Sequence, residues 1–348
     1  VNSLKQLVRS VFSFLRLFSP NGETRKEAFD VVILSRLRML TEDLGTFKTG
    51  AALSTAKPQR VILFSHFDSR SIIDPYVQYY LDFLSNDLDA FFFIVSTSAE
   101  INNPTDILNH PRCLGLVTRA NYGLDFSSWK TGYKTLKAQG VDFTSLSSLT
   151  LANDSCFGPL FSLKKYFDML EGDKAPLMGG ATESFSFARH VQSYFVVLNG
   201  AALQTGFLAR FFSSVRPIAS KSALIMRYEV GMGVLAARFG IHLKPMLSAE
   251  QASLVLSRES NHPYFEFSGA NSTVLHWDVL LRNQLSPFLK RSVFLEQPSD
   301  FAPPQFLEWK SAVAGFSHYP INLIESYAQV FGQRSTFTKE PVKNNTQS

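Results

Sequence analysis

Leu149-Thr150-Leu151-Ala152-Asn153-Asp154-Ser155-Cys156-Phe157-Gly158-Pro159 is an apolar run that stops at Asn-Asp-Ser and then at Gly-Pro. It reads as a buried strand over 146–152 that delivers a carboxylate, Asp154, to its carboxyl end. In open α/β sheets, ligands collect at that edge. A lone Asp there can also be a loop cap, and the flanking segments favour the functional reading.

Upstream, Val61-Ile62-Leu63-Phe64 is a continuous apolar run, as expected of a strand covered on both faces. Further strands are expected over 90–96 and 113–118, with helices over 76–84 and 128–138 between them. Alternation of strands and helices implies an α/β fold with a mostly parallel sheet flanked by helices. Downstream, 194–198 and 240–243 read as strands, and 207–212, 227–239, 277–281 and 305–314 as helices. The segment 45–59 is polar and rich in small residues, which reads as a linker. Leu4, Leu7, Val8, Val11, Phe12, Leu15 and Phe18 follow the helical period, with Lys5, Arg9 and Arg16 opposite. That helix can pack on the core or lie in a membrane interface. A second helix is expected over 25–44, and a disordered tail over 339–348. The expected organisation is an N-terminal helical extension (1–50), a catalytic α/β domain (58–245), a C-terminal helical extension (246–338) and the tail.

Composition narrows the classes. The chain of 348 residues is 45% hydrophobic and 18% charged, which is globular rather than disordered. Its net charge of +5 suits an anionic ligand or an anionic membrane surface, and is too mild and too evenly spread to argue nucleic acid. The two cysteines, Cys113 and Cys156, make neither a disulfide framework nor a metal cluster. No apolar run approaches the ~20 residues of a membrane span. A cytoplasmic protein is therefore expected, with peripheral contact at the inner face of the membrane.

Polar clusters follow the strand ends: Ser65-His66-Phe67-Asp68, then Asn121-Tyr122-Gly123-Leu124-Asp125-Phe126 running into Lys130, then Asn153-Asp154-Ser155. Strand–loop–helix units of this kind can set backbone N–H groups against a phosphate, and Asn121 and Gly123 tolerate the tight backbone involved. No GxGxxG or GxxxxGK[ST] pattern occurs, so neither a dinucleotide fingerprint nor a P-loop is indicated. Asp154 could hold Mg²⁺ or Mn²⁺ on a diphosphate, because such ions often take one or two carboxylates plus substrate oxygens. A hydrolase built on Ser65, His66 and Asp68 is disfavoured, since adjacent residues rarely converge on one point and no GxSxG elbow is present.

These blocks, together with Thr182-Glu183-Ser184, Val191-Gln192-Ser193-Tyr194-Phe195, Tyr228-Glu229-Val230-Gly231 and Pro287-Phe288-Leu289-Lys290-Arg291, resemble in their order the rhamnan synthesis protein F family. The resemblance runs from about Arg60 to Leu295. It implies a GT-A-like glycosyltransferase that uses a nucleotide-sugar donor, an activated rhamnose or related sugar, and a glycan or lipid-linked glycan acceptor of the cell surface. Where that fold usually carries Asp-x-Asp, this chain has Asn153-Asp154-Ser155, so one carboxylate stands in place of two. On this reading Ser65, His66, Asp68, Asn121, Gly123, Asp125, Lys130 and Asn153 bind the nucleotide sugar, and Asp154 holds the metal.

Glu229 is the expected general base for an inverting transfer, which needs a group to take the acceptor hydroxyl's proton. It is placed at the start of an apolar helix, where a carboxylate is also favoured by the helix dipole alone. Glu183, in an expected polar loop, is the alternative base or an acceptor contact. His190 and His242 read as structural. Trp129 and Tyr133 read as core, with stacking on a base or sugar as the alternative, and Lys290 and Arg291 as packing and capping or as phosphate contacts. The competing reading of the whole chain is a non-catalytic nucleotide- or glycan-binding protein that keeps the fold.

Overall fold

A computed structural model of the chain describes residues 45–98, 100–185, 188–218, 220–259, 272–295 and 309–331. The expected helices at 4–18 and 25–44 and the tail 339–348 lie outside the described residues. In chain order the strands are β1 (Thr46–Thr49), β2 (Arg60–His66), β3 (Phe91–Ser96), β4 (Cys113–Thr118), β5 (Ser148–Asn153), β6 (Cys156–Phe157), β7 (Leu177–Ser184), β8 (His190–Val191), β9 (Phe195–Asn199), β10 (His242–Leu247) and β11 (Leu289–Lys290). Among the described residues, nine of them form one sheet in the order β1-β4-β3-β2-β5-β9-β7-β10, with β8 paired to β7. Strands β4, β3, β2 and β5 are mutually parallel, so His66, Ser96, Thr118 and Asn153 end on one edge. β9 runs against both β5 and β7, and β10 is parallel to β7.

The helices used below are α1 (Pro75–Leu88), α2 (Leu124–Ala138), α3 (Lys164–Gly172), α4 (Phe207–Ser214), α5 (Gly231–Arg238), α6 (Ala249–Leu256), α7 (Trp309–Phe316) and α8 (Ile321–Phe331). The VILF run of β2 explains the layering. Ile62 and Phe64 enter one core with Tyr76, Val77 and Tyr80 of α1, whereas Val61 and Leu63 enter the other with Phe126 and Trp129 of α2. Alternate side chains of one strand thus feed two cores, each large side chain contributing roughly 1.5–3 kcal/mol on burial. Val313 of α7 and Ile324 and Tyr327 of α8 join the α1 core, so the C-terminal helices close over that face. α1 starts where Asp74 accepts from the Tyr76 N–H at 3.3 Å and Pro75 takes the first helical position.

Several expectations change. The linker at 45–59 contains β1, a half-exposed strand on the sheet edge, antiparallel to β4. Its sequence, Thr-Phe-Lys-Thr, lacks the apolar run that betrays a buried strand. Residues 179–184, expected as a loop, belong to β7. α2 begins at Leu124 rather than 128, so Asp125 sits in its first turn. The helix around Glu229 has started by Lys221, and Glu229 lies in a π-helical turn, Ile225–Val230, ahead of α5. The first-turn dipole argument for Glu229 therefore fails. β10 runs across the expected boundary at 245–246.

Candidate functional site

The carboxyl edge of the parallel strands opens into a cavity of about 610 Å³. Phe67 and Asp68 after β2, Thr97 and Ser98 after β3, and Arg119 and Asn121 after β4 line it. Asp68 is fixed from both sides. Its backbone N–H donates to Ser98 Oγ at 3.0 Å, and its carboxylate accepts from Arg70 Nη2 at 2.8 Å. Arg70 also pairs with Asp74. The buried ring of His66 hydrogen-bonds Ser96 Oγ through Nδ1 at 2.9 Å, while Nε2 meets no partner among the described residues. Burial pushes its pKa down despite the nearby Asp154 and Asp68, which keeps the ring neutral. Arg119 is buried, with its guanidinium 4.2 Å from the Tyr122 ring centroid and Nη2 donating to the Tyr122 carbonyl at 2.9 Å.

Beside the cavity, β2, α2 and β5 meet. Ser65 and Asn153 are register partners, and Asp125 accepts from both, at 2.9 Å from Asn153 Nδ2. Asp125 reaches this point because Gly123 and Leu124 are both left-handed, at φ 70° and 46°. A Cβ at Gly123 would meet Ser127 Oγ at 2.0 Å, and the leucine conformation costs roughly 1–2 kcal/mol. Burial raises the Asp125 carboxyl from an ordinary 3.8 to about 6, opposed by the Ser65 bond and reinforced by Asp154.

Asp154 is nearly buried, its side chain 10% exposed. Oδ2 accepts the Phe67 N–H at 3.0 Å, and Oδ1 lies 3.4 Å from Arg291 Nη2. Arg291 Nη1 donates to the Tyr76 hydroxyl at 2.7 Å, which in turn donates to the Asp154 carbonyl at 3.0 Å. The β6–β11 pairing brings Arg291 here, and its N–H donates to the Ser155 carbonyl at 2.9 Å.

The residues present do not fit the expected divalent ion. Among the described residues, no group of three or more His, Cys, Asp or Glu side chains is placed to hold one. Asp154 already faces a guanidinium, Asp125 is held by Ser65 and Asn153, and Asp68 by Arg70. A dication at Asp154 would lie against a positive charge.

A second carboxylate cluster forms at β7, β8 and the π-helical turn. Glu229 Oε2 accepts the Ser193 N–H at 2.7 Å and the Ser193 hydroxyl, and Oε1 lies 3.5 Å from His190 Nε2. Burial would raise the Glu229 pKa, but the bonds from His190 and Ser193 outweigh it and hold the carboxyl low. Burial likewise works against the His190 imidazolium, and Glu229 reverses that, so the His190 pKa rises. Glu183 has both oxygens engaged: Oε1 with Arg189 Nε at 2.5 Å, and Oε2 with the Ala249 N–H at 3.0 Å, the first residue of α6. Both contacts tie Glu183 to its neighbours in the fold.

Ser65, His66, Asp68, Asn121, Asp125, Asn153 and Asp154 thus gather at one edge, with Gly123 shaping the turn that feeds it. Lys130 does not join them. Its Nζ donates to the Val215 carbonyl at 3.0 Å, and it lines a different cavity of about 520 Å³ with Lys134, Lys137 and Arg216. Trp129 is core, its Nε1 donating to the Ala152 carbonyl at 2.9 Å, and Tyr133 stacks on Phe212. Tyr76, which bonds Arg291 and the Asp154 carbonyl, carries no local mark among the apolar residues of α1. Arg119 could have been found as the first residue after a strand that ends at the same edge.

The chain matches the family RgpF, rhamnan synthesis protein F, over residues 92–336, well over half its length. No curated protein matches it in sequence. Among solved structures it is similar to the glycosyltransferase GlyE of Streptococcus pneumoniae TIGR4, at 9% identity and a TM-score of 0.38, covering 84% of this chain and 66% of that one. It is also similar to the galactosyltransferase LgtC in complex with donor and acceptor sugar analogs, at 9% identity, TM-score 0.35, covering 75% and 98%. A third is the mannosyltransferase PcManGT of Pyrobaculum calidifontis in complex with GDP-Man and Mn²⁺, at 11% identity, TM-score 0.35, covering 91% and 97%. At such scores these likenesses carry no weight for activity. Among the described residues, no helix is long and apolar enough to cross a membrane.

Proposed function

Because the chain belongs to the rhamnan synthesis protein F family, we propose that it is a glycosyltransferase. It moves rhamnose or another deoxyhexose from a nucleotide-diphospho-sugar to a growing cell-surface polysaccharide or lipopolysaccharide glycan, with inversion. The observation that carries this reading is the cavity at the carboxyl edge, with Asp154 tied to its wall through the Phe67 N–H. The base and ribose lie among Asp68, Arg119 and Asn121, and the diphosphate extends toward Asn153 and Asp154. Negative charge grows on the leaving diphosphate as the glycosidic bond breaks, so fixed positive charge and donors at that point lower the barrier.

Glu229 takes the proton of the attacking acceptor hydroxyl. Its depressed pKa keeps it ionised near neutral pH, and Oε1, which His190 Nε2 faces at 3.5 Å, is the oxygen that accepts. The acceptor is a glycan or a lipid-linked glycan, reached at the inner face of the cytoplasmic membrane. The test is to incubate the protein with a panel of nucleotide sugars and surface-glycan acceptors and follow nucleoside diphosphate release. Release dependent on acceptor from one donor class is expected. Silence across the panel, beside intact folding, overturns the reading.

A further inference from the structure

We propose that Arg291 is the cation that receives the donor diphosphate, so that this chain binds its nucleotide without a divalent ion. The inference rests on the nucleotide-sugar reading above and adds to it the identity of the charge.

Geometry comes first. Arg291 is anchored on three sides. Its N–H donates to the Ser155 carbonyl, Nη1 donates to Tyr76, and Nη2 lies beside Asp154. The Tyr327 ring of α8 lies 5.3 Å from Cζ and the Tyr76 ring 5.8 Å. The side chain still keeps 21% of its surface exposed. A guanidinium fixed in this way beside the end of β5, on a side chain still partly exposed, is preorganised for a phosphate oxygen and loses little freedom on binding.

Charge comes second. The one acid within 4.0 Å of Arg291 among the described residues is Asp154, at a loose 3.4 Å, and Asp154 is also bound by the Phe67 N–H. The carboxylate therefore orients the arginine without fully satisfying it. Asp154 is on this account a positioning residue, which explains why a single Asp suffices in Asn153-Asp154-Ser155. The same pairing takes up the oxygen a metal would need.

The test is calorimetric titration of the full chain with UDP, dTDP and GDP, and with the matching nucleosides, first in EDTA and then in excess Mn²⁺ or Mg²⁺. One diphosphate should bind with an affinity that changes less than a few-fold between the two conditions. Arg291→Lys keeps the charge but loses the fork. It should weaken that diphosphate roughly 10- to 100-fold, the scale of a charge-assisted hydrogen bond, while nucleoside affinity stays unchanged. A merely structural arginine would weaken both ligands together. Diphosphate binding that vanishes in EDTA and returns with Mn²⁺ overturns the inference and leaves the glycosyltransferase standing; this arm needs no variant. If no nucleotide or nucleoside binds under either condition, the donor reading falls, and this inference with it.

Discussion

At the end of β5, burial lifts the Asp125 carboxyl to about 6, whereas at the π-helical turn hydrogen bonds hold Glu229 below the usual carboxylate range. Both clusters bury acids, and they do so by different means. In the β5 cluster the Asp125 carboxyl is raised and Asp154 is met by a guanidinium, beside the cavity. The second answers its charge internally, Glu229 with Ser193 and His190, and Glu183 with Arg189 and a helix N-terminus. A carboxylate's position along the chain therefore says less about its chemistry than what its two oxygens already accept.

Glu229→Gln tests whether the second cluster takes part in the chemistry at all. Gln keeps the shape and can still accept from Ser193. A rate loss of roughly 10²–10⁴ is expected, the usual worth of a general base, with donor affinity within a few-fold of wild type. An unchanged single-turnover rate would confine all chemistry to the β5 edge.

Asp154→Asn probes the other side, and a fall in turnover of roughly 10²–10³ is expected, comparable to removing one charge-stabilising group. The Phe67 N–H retains an acceptor, but Arg291 loses its counter-charge, so the thermal midpoint should fall as well while the protein stays folded. Full activity at saturating donor would remove the β5 edge from the mechanism and break the contrast.

The two clusters were not equally legible in the sequence. The strand over 113–118 is read to the residue, and β2 and β5 to within two, because continuous apolar runs admit few alternatives. β7 was hidden by Gly179-Gly180, which look like loop residues. They are glycines for space, since a Cβ at 179 would lie 2.3 Å from Tyr166 Oη. The pairing of Arg291 with Asp154 joins positions 137 residues apart, and no local pattern encodes it. At Glu229 only the start of the helix differs from the reading, since the chain is already helical from Lys221 and passes through a π-helical turn over Ile225–Val230.

Asp125 offers a test in pH. Its folded pKa, about 6, lies above the ordinary 3.8, so the stability it contributes is fully present below the unfolded value and is lost as pH rises through about 6. A shift of this size corresponds to ~3 kcal/mol at most. Asp125→Asn has no proton to lose. Its thermal midpoint should gain on wild type progressively between pH 4 and pH 7, on the order of that shift. Parallel melting curves across that range would mean that the Asp125 carboxyl is not raised in the folded protein.

The smallest effect is expected at Glu183, and it separates structure from chemistry within the second cluster. Glu183→Gln keeps an oxygen for the Ala249 N–H and loses the ion pair with Arg189, whose side chain is 54% exposed. Solvent screens such a pair, so the cost is about 1 kcal/mol or less, a fall in thermal midpoint of roughly 1–2 °C at most. Turnover should stay at the wild-type level, because the proposed base is Glu229 and Glu183 is taken up by Arg189 and the Ala249 N–H. The measurement pairs a melting curve with a rate at saturating donor. A folded Glu183→Gln protein without activity, beside an active Glu229→Gln protein, would move the base to Glu183 and make the cap on α6 a contact that opens during the reaction.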